Sequence, residues 1–230
     1  MPDSSVTIGF LLFPALTQLD LTGPWEVFAR LPGVKLHLIW KDRQPVIADR
    51  GMAILPDTTF ADCPALDLLC IPGGPGQIAL MNDSETLAFV REKARAAKWV
   101  TSVCTGSLVL GAAGLLRGYR ATTHWGSLEQ LSLLGAIPVE QRVVCDRNRI
   151  TGAGVTSGID FALTVTEAIA GRETAELIQL QMEYDPDPPF TSGSPRTASA
   201  ARLNQARAQM KDFIARRRAA TEAAAAKLTR

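Results

Sequence analysis

Trp99-Val-Thr-Ser-Val-Cys104-Thr105-Gly106-Ser107-Leu-Val-Leu-Gly-Ala-Ala-Gly-Leu-Leu116 joins two kinds of hydrophobic pattern at a single turn. Residues 99–103 are mostly β-branched or aromatic and read as a strand. The Leu/Val/Ala stretch after Gly106 reads as a helix. Outward from this point the alternation continues. Leu66-Asp-Leu-Leu-Cys-Ile71 is a core strand ended by Pro72-Gly73-Gly74, and Ser84 to Ala97 is a helix with Ser84 as its N-cap. Val6 to Phe13 is a buried strand stopped by Pro14, and Val34 to Trp40 alternates as another. Between those two, Leu21 to Leu31 reads as a helix with Pro24 near its start, where a missing amide costs least. Residues 45–60 suggest a hairpin around Arg50-Gly51. Arg142 to Cys145 and Arg149 to Thr151 read as late strands about a turn at residues 146–148, followed by a helix from Gly158 to Ala170. Strand–helix alternation at this spacing predicts an α/β fold: an open, mostly parallel sheet with helices on both faces. Ligands of such sheets bind beyond the carboxyl ends of the strands.

Composition agrees. Of 230 residues, 47% are hydrophobic and 20% charged, which excludes a disordered chain or a collagen-like repeat. A formal net charge of +1 offers no global field for nucleic acid or an anionic membrane. The charge is uneven, however. Residues 196–230 carry nine Lys/Arg and two Asp/Glu, a net of +7, and the first 195 carry 15 basic and 21 acidic side chains, a net of −6. The proline-rich run Pro186 to Pro195 separates the two parts. This predicts a domain over 1–195 and a helical extension over 196–230. In the extension Leu203, Ala206, Met210, Phe213 and Ile214 fall at helical spacing. A helix of about 30 residues reaches roughly 45 Å, so it is expected to meet a second subunit of a homodimer. The opening residues lack the basic and apolar regions of an export signal. Polar residues interrupt Val100 to Leu116, so it does not read as a membrane span. Cys63, Cys70, Cys104 and Cys145 show no Cys-x-x-Cys pair. A cytoplasmic protein with reduced thiols is expected.

Cys104 is the sharpest chemical feature. On a strand–turn–helix junction a side chain projects as at a nucleophile elbow, and a helix amino terminus favours thiolate over thiol. The other three cysteines read as small buried hydrophobes. A nucleophile needs a proton partner and a place for developing charge. Asp20, in Gln18-Leu-Asp-Leu-Thr-Gly-Pro24, follows the first strand and can face the same sheet edge. Partial burial there raises a carboxyl pKa toward the working range. Gly73 and Gly74 offer unhindered backbone amides for an oxyanion-type pocket. His37 alternates within a strand and reads as structural, while His124 completes a Cys/His pair only if the fold brings it close. Two histidines without a supporting cluster argue against a metal site. Gly73-Gly-Pro-Gly76 matches neither a P-loop nor a dinucleotide fingerprint. No cofactor is expected.

Asp20-Leu-Thr-Gly-Pro24, Ile71-Pro-Gly-Gly74, Ser102-Val-Cys-Thr-Gly106 and Ala121-Thr-Thr-His-Trp125, in that order, resemble the DJ-1/PfpI superfamily over about residues 6–185. The resemblance implies a flavodoxin-like sandwich, a mostly parallel sheet and a dimer. Thr105 follows the cysteine where family peptidases carry His, and Asp20 stands where the DJ-1 branch uses Glu. The AraC-type regulators of this superfamily continue into a helix-turn-helix domain, whereas 35 residues follow Pro195 and read as one helix. Tyr184-Asp-Pro-Asp-Pro-Pro-Phe190 with Gly193-Ser-Pro195 is most similar to the isocyanide hydratases. That branch implies Cys104 as nucleophile, Asp20 as acid/base and Thr105 as their neighbour. Gly73, Gly74 and the segment holding Ala153 and Val155 would lie near the pocket. Isocyanide hydratases commonly carry glycine where Ala153 stands. The implied partners are an isocyanide and water, with no nucleic acid and no membrane. A non-enzymatic sensor with Cys104 as redox switch is the competing expectation.

Overall fold

A computed structural model of the chain describes residues 5–228. The first four residues of the expected 1–195 domain and the last two of the expected 196–230 extension lie outside the described residues.

The chain opens with β1 (Thr7–Leu11), α1 (Gln18–Phe28) and β2 (Lys35–Trp40). A small antiparallel hairpin of β3 (Val46–Ile47) and β4 (Ala53–Ile54) follows, where the Arg50-Gly51 turn was expected. Next come β5 (Thr58–Thr59), β6 (Leu68–Ile71), α2 (Gln77–Leu80) and α3 (Ser84–Ala96). β7 (Trp99–Val103) runs into α4 (Gly106–Ala112). Then β8 (Arg120–Ala121), a 3₁₀ turn at Trp125–Ser127, α5 (Gln130–Leu133) and β9 (Ile137–Pro138) lead to β10 (Val143–Asp146) and β11 (Arg149–Gly152). Three helices complete the chain: α6 (Ser157–Ala170), α7 (Arg172–Gln181) and α8 (Ala200–Leu228).

Seven strands form the main sheet in the order β10-β11-β7-β6-β1-β2-β5, and each pairing is parallel except β10 with β11. Both sides of the central strands must therefore be covered, and every residue of β6 is buried. α1, α6 and α7 pack as one group, α2, α4, α5 and α8 as another, and both α4 and α6 touch β7. The two groups thus occupy opposite faces. β1 leads out to β2 on one side and β6 to β7 on the other. The reversal leaves a crevice at the carboxyl ends of β1, β6 and β7, where a ligand fits.

Two local readings need correction. α1 begins at Gln18 and not Leu21, so Pro24 lies inside the helix and Asp20 in its first turn. Having no amide, Pro24 leaves the Asp20 carbonyl without its helical donor. The cap of α3 is Asp83, whose Oδ1 accepts from Thr86 N at 3.3 Å; Ser84 is the first helical residue. α8 packs on its own chain against α2, α4 and α5, and its stripe residues Met210, Phe213 and Ile214 are half-buried. Arg217, Thr221 and Ala224 are its buried positions. Thr221 Oγ1 donates to Gln130 Oε1 at 2.9 Å, and Lys227 Nζ donates to Asn82 Oδ1 at 2.9 Å.

Candidate active site

β7 ends by delivering Cys104 at φ +55°, in the left-handed region that a side chain normally avoids. Surrounding bonds hold it there. Its amide donates to the carbonyls of Gly152 at 3.0 Å and Ala153 at 2.8 Å. Its carbonyl accepts from Thr123 Oγ1 at 2.8 Å and Ser107 Oγ at 3.1 Å. The turn can close only because residue 106 is glycine: a Cβ there would stand 2.0 Å from the Ile71 carbonyl oxygen. The cysteine side chain is therefore aimed at the ligand edge of the sheet by a strained, over-determined elbow.

Asp20 reaches the same point from α1 and is fully buried. Its Oδ2 accepts from the Gly73 amide at 3.0 Å. Oδ1 has no hydrogen-bond partner among the described residues. The Cys104 thiol is close enough to interact with the carboxyl, short of a well-formed hydrogen bond. Burial raises the Asp20 pKa to about 7, against the partial relief that the Cys104 thiol and the Gly73 amide supply. Burial also pushes the Cys104 thiol well above its ordinary range, and the Asp20 charge adds to that effect. The Thr105 amide favours the thiolate, as a helix start should, but it does not win. Burial thus works against the expected thiolate, beside a carboxyl raised to about 7.

The glycine amides serve differently from the expectation. Gly73 N is spent on Asp20, and Gly74 N donates to Thr105 Oγ1 at 3.1 Å. Neither is left for an oxyanion. Their task is close approach: a Cβ on Gly73 would lie 2.5 Å from Thr105 N and 2.7 Å from Asp20 Oδ2. Gly73 therefore lets the carboxyl and the elbow share one small volume.

In front of Cys104 opens a cavity of about 380 Å³. Gly74, Thr105, His124 and Val155 line it together with Thr17 and Asp49. Gln18, Arg50 and Pro75 add to it, and α8 closes it with Met210, Phe213, Ile214 and Arg217. Sequence reasoning noticed the apolar stripe but not Arg217, which continues it at helical spacing. A basic residue interrupting such a stripe was the available signal. His124 does come close to Cys104, yet not as its base. Burial, with Arg217 adding to it, lowers the imidazole to about 4, and Nδ1 accepts from Gly126 N at 3.2 Å. It is a neutral wall residue. Ala153 does not face this cavity. Its carbonyl anchors Cys104, and its side lines a second cavity of about 300 Å³ across Val155 and His124. Gln77, also unanticipated, is fully buried beneath α8.

The DJ-1/PfpI family model matches residues 6–168. The isonitrile hydratase of Pseudomonas putida is 57% identical over 97% of this chain and 98% of its own. A crystal structure of a ThiJ/PfpI family protein from Pseudomonas syringae superposes with a TM-score of 0.93 at 46% identity, covering 95% of this chain and 91% of that one. The transcriptional regulator GbdR of Pseudomonas aeruginosa is 32% identical over 78% of this chain but only 51% of its own. A match running from β1 into α6, with a relative alike along nearly its whole length, makes this chain a member of the DJ-1/PfpI family.

Proposed function

We propose that this protein is an isonitrile (isocyanide) hydratase, a hydro-lyase that converts R–N≡C and water to the N-formamide. The observation that carries the reading is 57% identity to the Pseudomonas putida isonitrile hydratase over 97% of this chain. The site geometry supports a route for it.

Cys104 is the nucleophile and Asp20 the proton carrier. As the sulfur bonds to the isonitrile carbon, the thiol proton passes to Asp20 and from it to that same carbon. A thioimidate, R–N=CH–S–Cys104, results. Water then attacks the carbon while Asp20 takes one of its protons and returns a proton to nitrogen. The C–S bond breaks, the formamide leaves, and Cys104 recovers its proton. One thiol, one carboxyl and one water balance the reaction without a cofactor or metal. Gly73 fixes the carboxyl and Gly74 fixes Thr105, whose amide faces the sulfur. Val155, Met210, Phe213 and Ile214 supply apolar wall for a substrate with almost no hydrogen-bonding handle. A homodimer and a reducing cytoplasm, suited to four free cysteines, complete the proposal.

The test is to mix the purified protein with simple isonitriles and follow loss of isonitrile absorbance with appearance of formamide. Wild type should turn over, and Cys104→Ala should not while keeping its fold. A folded wild type inert toward several isonitriles would overturn the assignment. Full activity in Cys104→Ala would overturn the covalent route.

A further inference from the structure

We propose that Arg217 is a positioning residue for the nucleophile: its guanidinium, carried in by α8, is the counter-charge for Cys104 whenever the sulfur becomes a thiolate. The role rests on the hydratase reading of the site, because attack and departure of the sulfur are the moments at which that charge forms.

Three arginines stand in a row on α8, and only the middle one is buried: Arg216 and Arg218 are exposed, whereas Arg217 is 4% exposed. Its fixed contacts are all neutral. Nη1 donates to Ser127 Oγ at 2.9 Å. With the amide oxygen of Gln77 turned toward it, Nε donates there at 3.0 Å. The guanidinium carbon lies 4.5 Å from the centre of the Phe213 ring. No carboxylate pairs with it among the described residues. Burying an unpaired cation is costly, yet the fold keeps one without a resting partner on the wall of the cavity that holds Cys104.

The other charged or titratable groups around the sulfur cannot do this work. Asp20, from α1, opposes a thiolate. His124, in the loop after β8, is neutral at working pH. Asp49, in the β3–β4 turn, is a carboxyl that accepts from Thr17 Oγ1 at 3.0 Å, and its neighbour Arg50 lines the same cavity but is solvent-exposed. Arg217 is left as the buried cation. Attraction runs both ways: Arg217 favours the thiolate of Cys104, and that charge favours the guanidinium against its burial. No proton moves to or from Arg217. It acts only through charge, in a low-dielectric wall where charge counts for more than in water. Because Gln77 and Ser127 aim it, docking of α8 sets the reactivity of the thiol.

Alkylation of Cys104 by iodoacetamide in the full chain, without isonitrile, tests this directly. Peptide mapping isolates the Cys104 rate between pH 6 and 10. Arg217→Gln keeps hydrogen-bonding ability but removes the charge. It should move the alkylation profile up by about one pH unit, or about tenfold slower labelling at pH 8. Arg217→Lys should stay within about threefold of wild type, a rescue that a purely structural role would not favour. With isonitrile, Arg217→Gln should lower kcat while leaving KM nearly unchanged. Should Arg217→Gln fail to fold, Arg217→Met, which can pack on Phe213, is read in the same way. A folded charge-free variant with the wild-type alkylation profile overturns the proposal. So does an unchanged profile with a KM rise confined to carboxylate-bearing isonitriles, which would assign the guanidinium to substrate. Since the alkylation arm uses no isonitrile, its outcome is independent of whether hydration itself is observed.

Discussion

Asp20 and Cys104 meet in a buried site, where the Asp20 charge opposes a thiolate while the Cys104 thiol partly relieves the carboxylate of its burial. The pair is best regarded as one titrating unit holding a single proton in its reactive state. Below about pH 7 Asp20 takes up the extra proton and has nowhere to send the thiol's. kcat/KM should therefore rise through about pH 7 and level off above it; a rate falling through that range would contradict Asp20 as acceptor. Burial also makes Asp20 a stability liability. Its folded pKa lies above the unfolded value of 3.8, so the folded state binds the proton more tightly between about pH 4 and 7. The cost is absent below that window, grows across it and stays in full above it. Asp20→Asn should consequently melt higher than wild type at pH 8 and about level with it at pH 4, with a difference on the order of 4 kcal/mol at most. The same variant should lose about 10²–10⁴-fold in hydration and accumulate protein plus one substrate mass on Cys104. With the opposing carboxylate gone, Cys104 should also alkylate faster at pH 8, opposite in direction to the Arg217 variants.

Among elements, the β7–α4 elbow and α8 are the two on which the site depends. The elbow was legible because its requirements are local: a strand ending in Cys104, then small residues allowing the chain to turn into a helix. Gly106→Ala should disturb the turn, since the added carbon meets the Ile71 carbonyl. Loss of at least 1–3 kcal/mol in urea unfolding, the usual range for overpacking, together with sharply reduced activity is expected. α8 was legible as a helix but not in its destination. Helical spacing shows which residues share a stripe, while the surface that stripe meets is set by the rest of the fold. Truncation after Pro195 should remove the Met210, Phe213, Ile214 and Arg217 wall and expose the surface beneath it. Activity should fall at least tenfold and the melting temperature should drop. A truncated chain of unchanged activity would show that α8 is dispensable to the site.

At the scale of the whole molecule, α1 and α6 close one face of the sheet and α4 with α8 the other, leaving the candidate site at the switch between β1 and β6. Among the described residues, no helix is long and apolar enough to cross a membrane. Leu177, Leu180 and Phe190 are more than half exposed in the single chain, and a homodimer gives such side chains a place to be covered. Sedimentation equilibrium should return twice the chain mass at micromolar concentration; a monomer there would refute the dimer.

The sequence by itself determined the layered α/β plan, the parallel sheet, the cysteine on its elbow and the carboxyl offered beside it. All of these follow from hydrophobic period, turn chemistry and short motifs, which act between neighbours in the chain. Only the tertiary structure decided that Asp20 lies in a helical turn with its pKa raised to about 7, and that burial pushes the Cys104 thiol up. It alone spent the Gly73 and Gly74 amides on the site's own side chains and brought Arg217 to the cavity. Desolvation and charge are sums over everything nearby in space, and residues distant along the chain contribute most of what surrounds the sulfur.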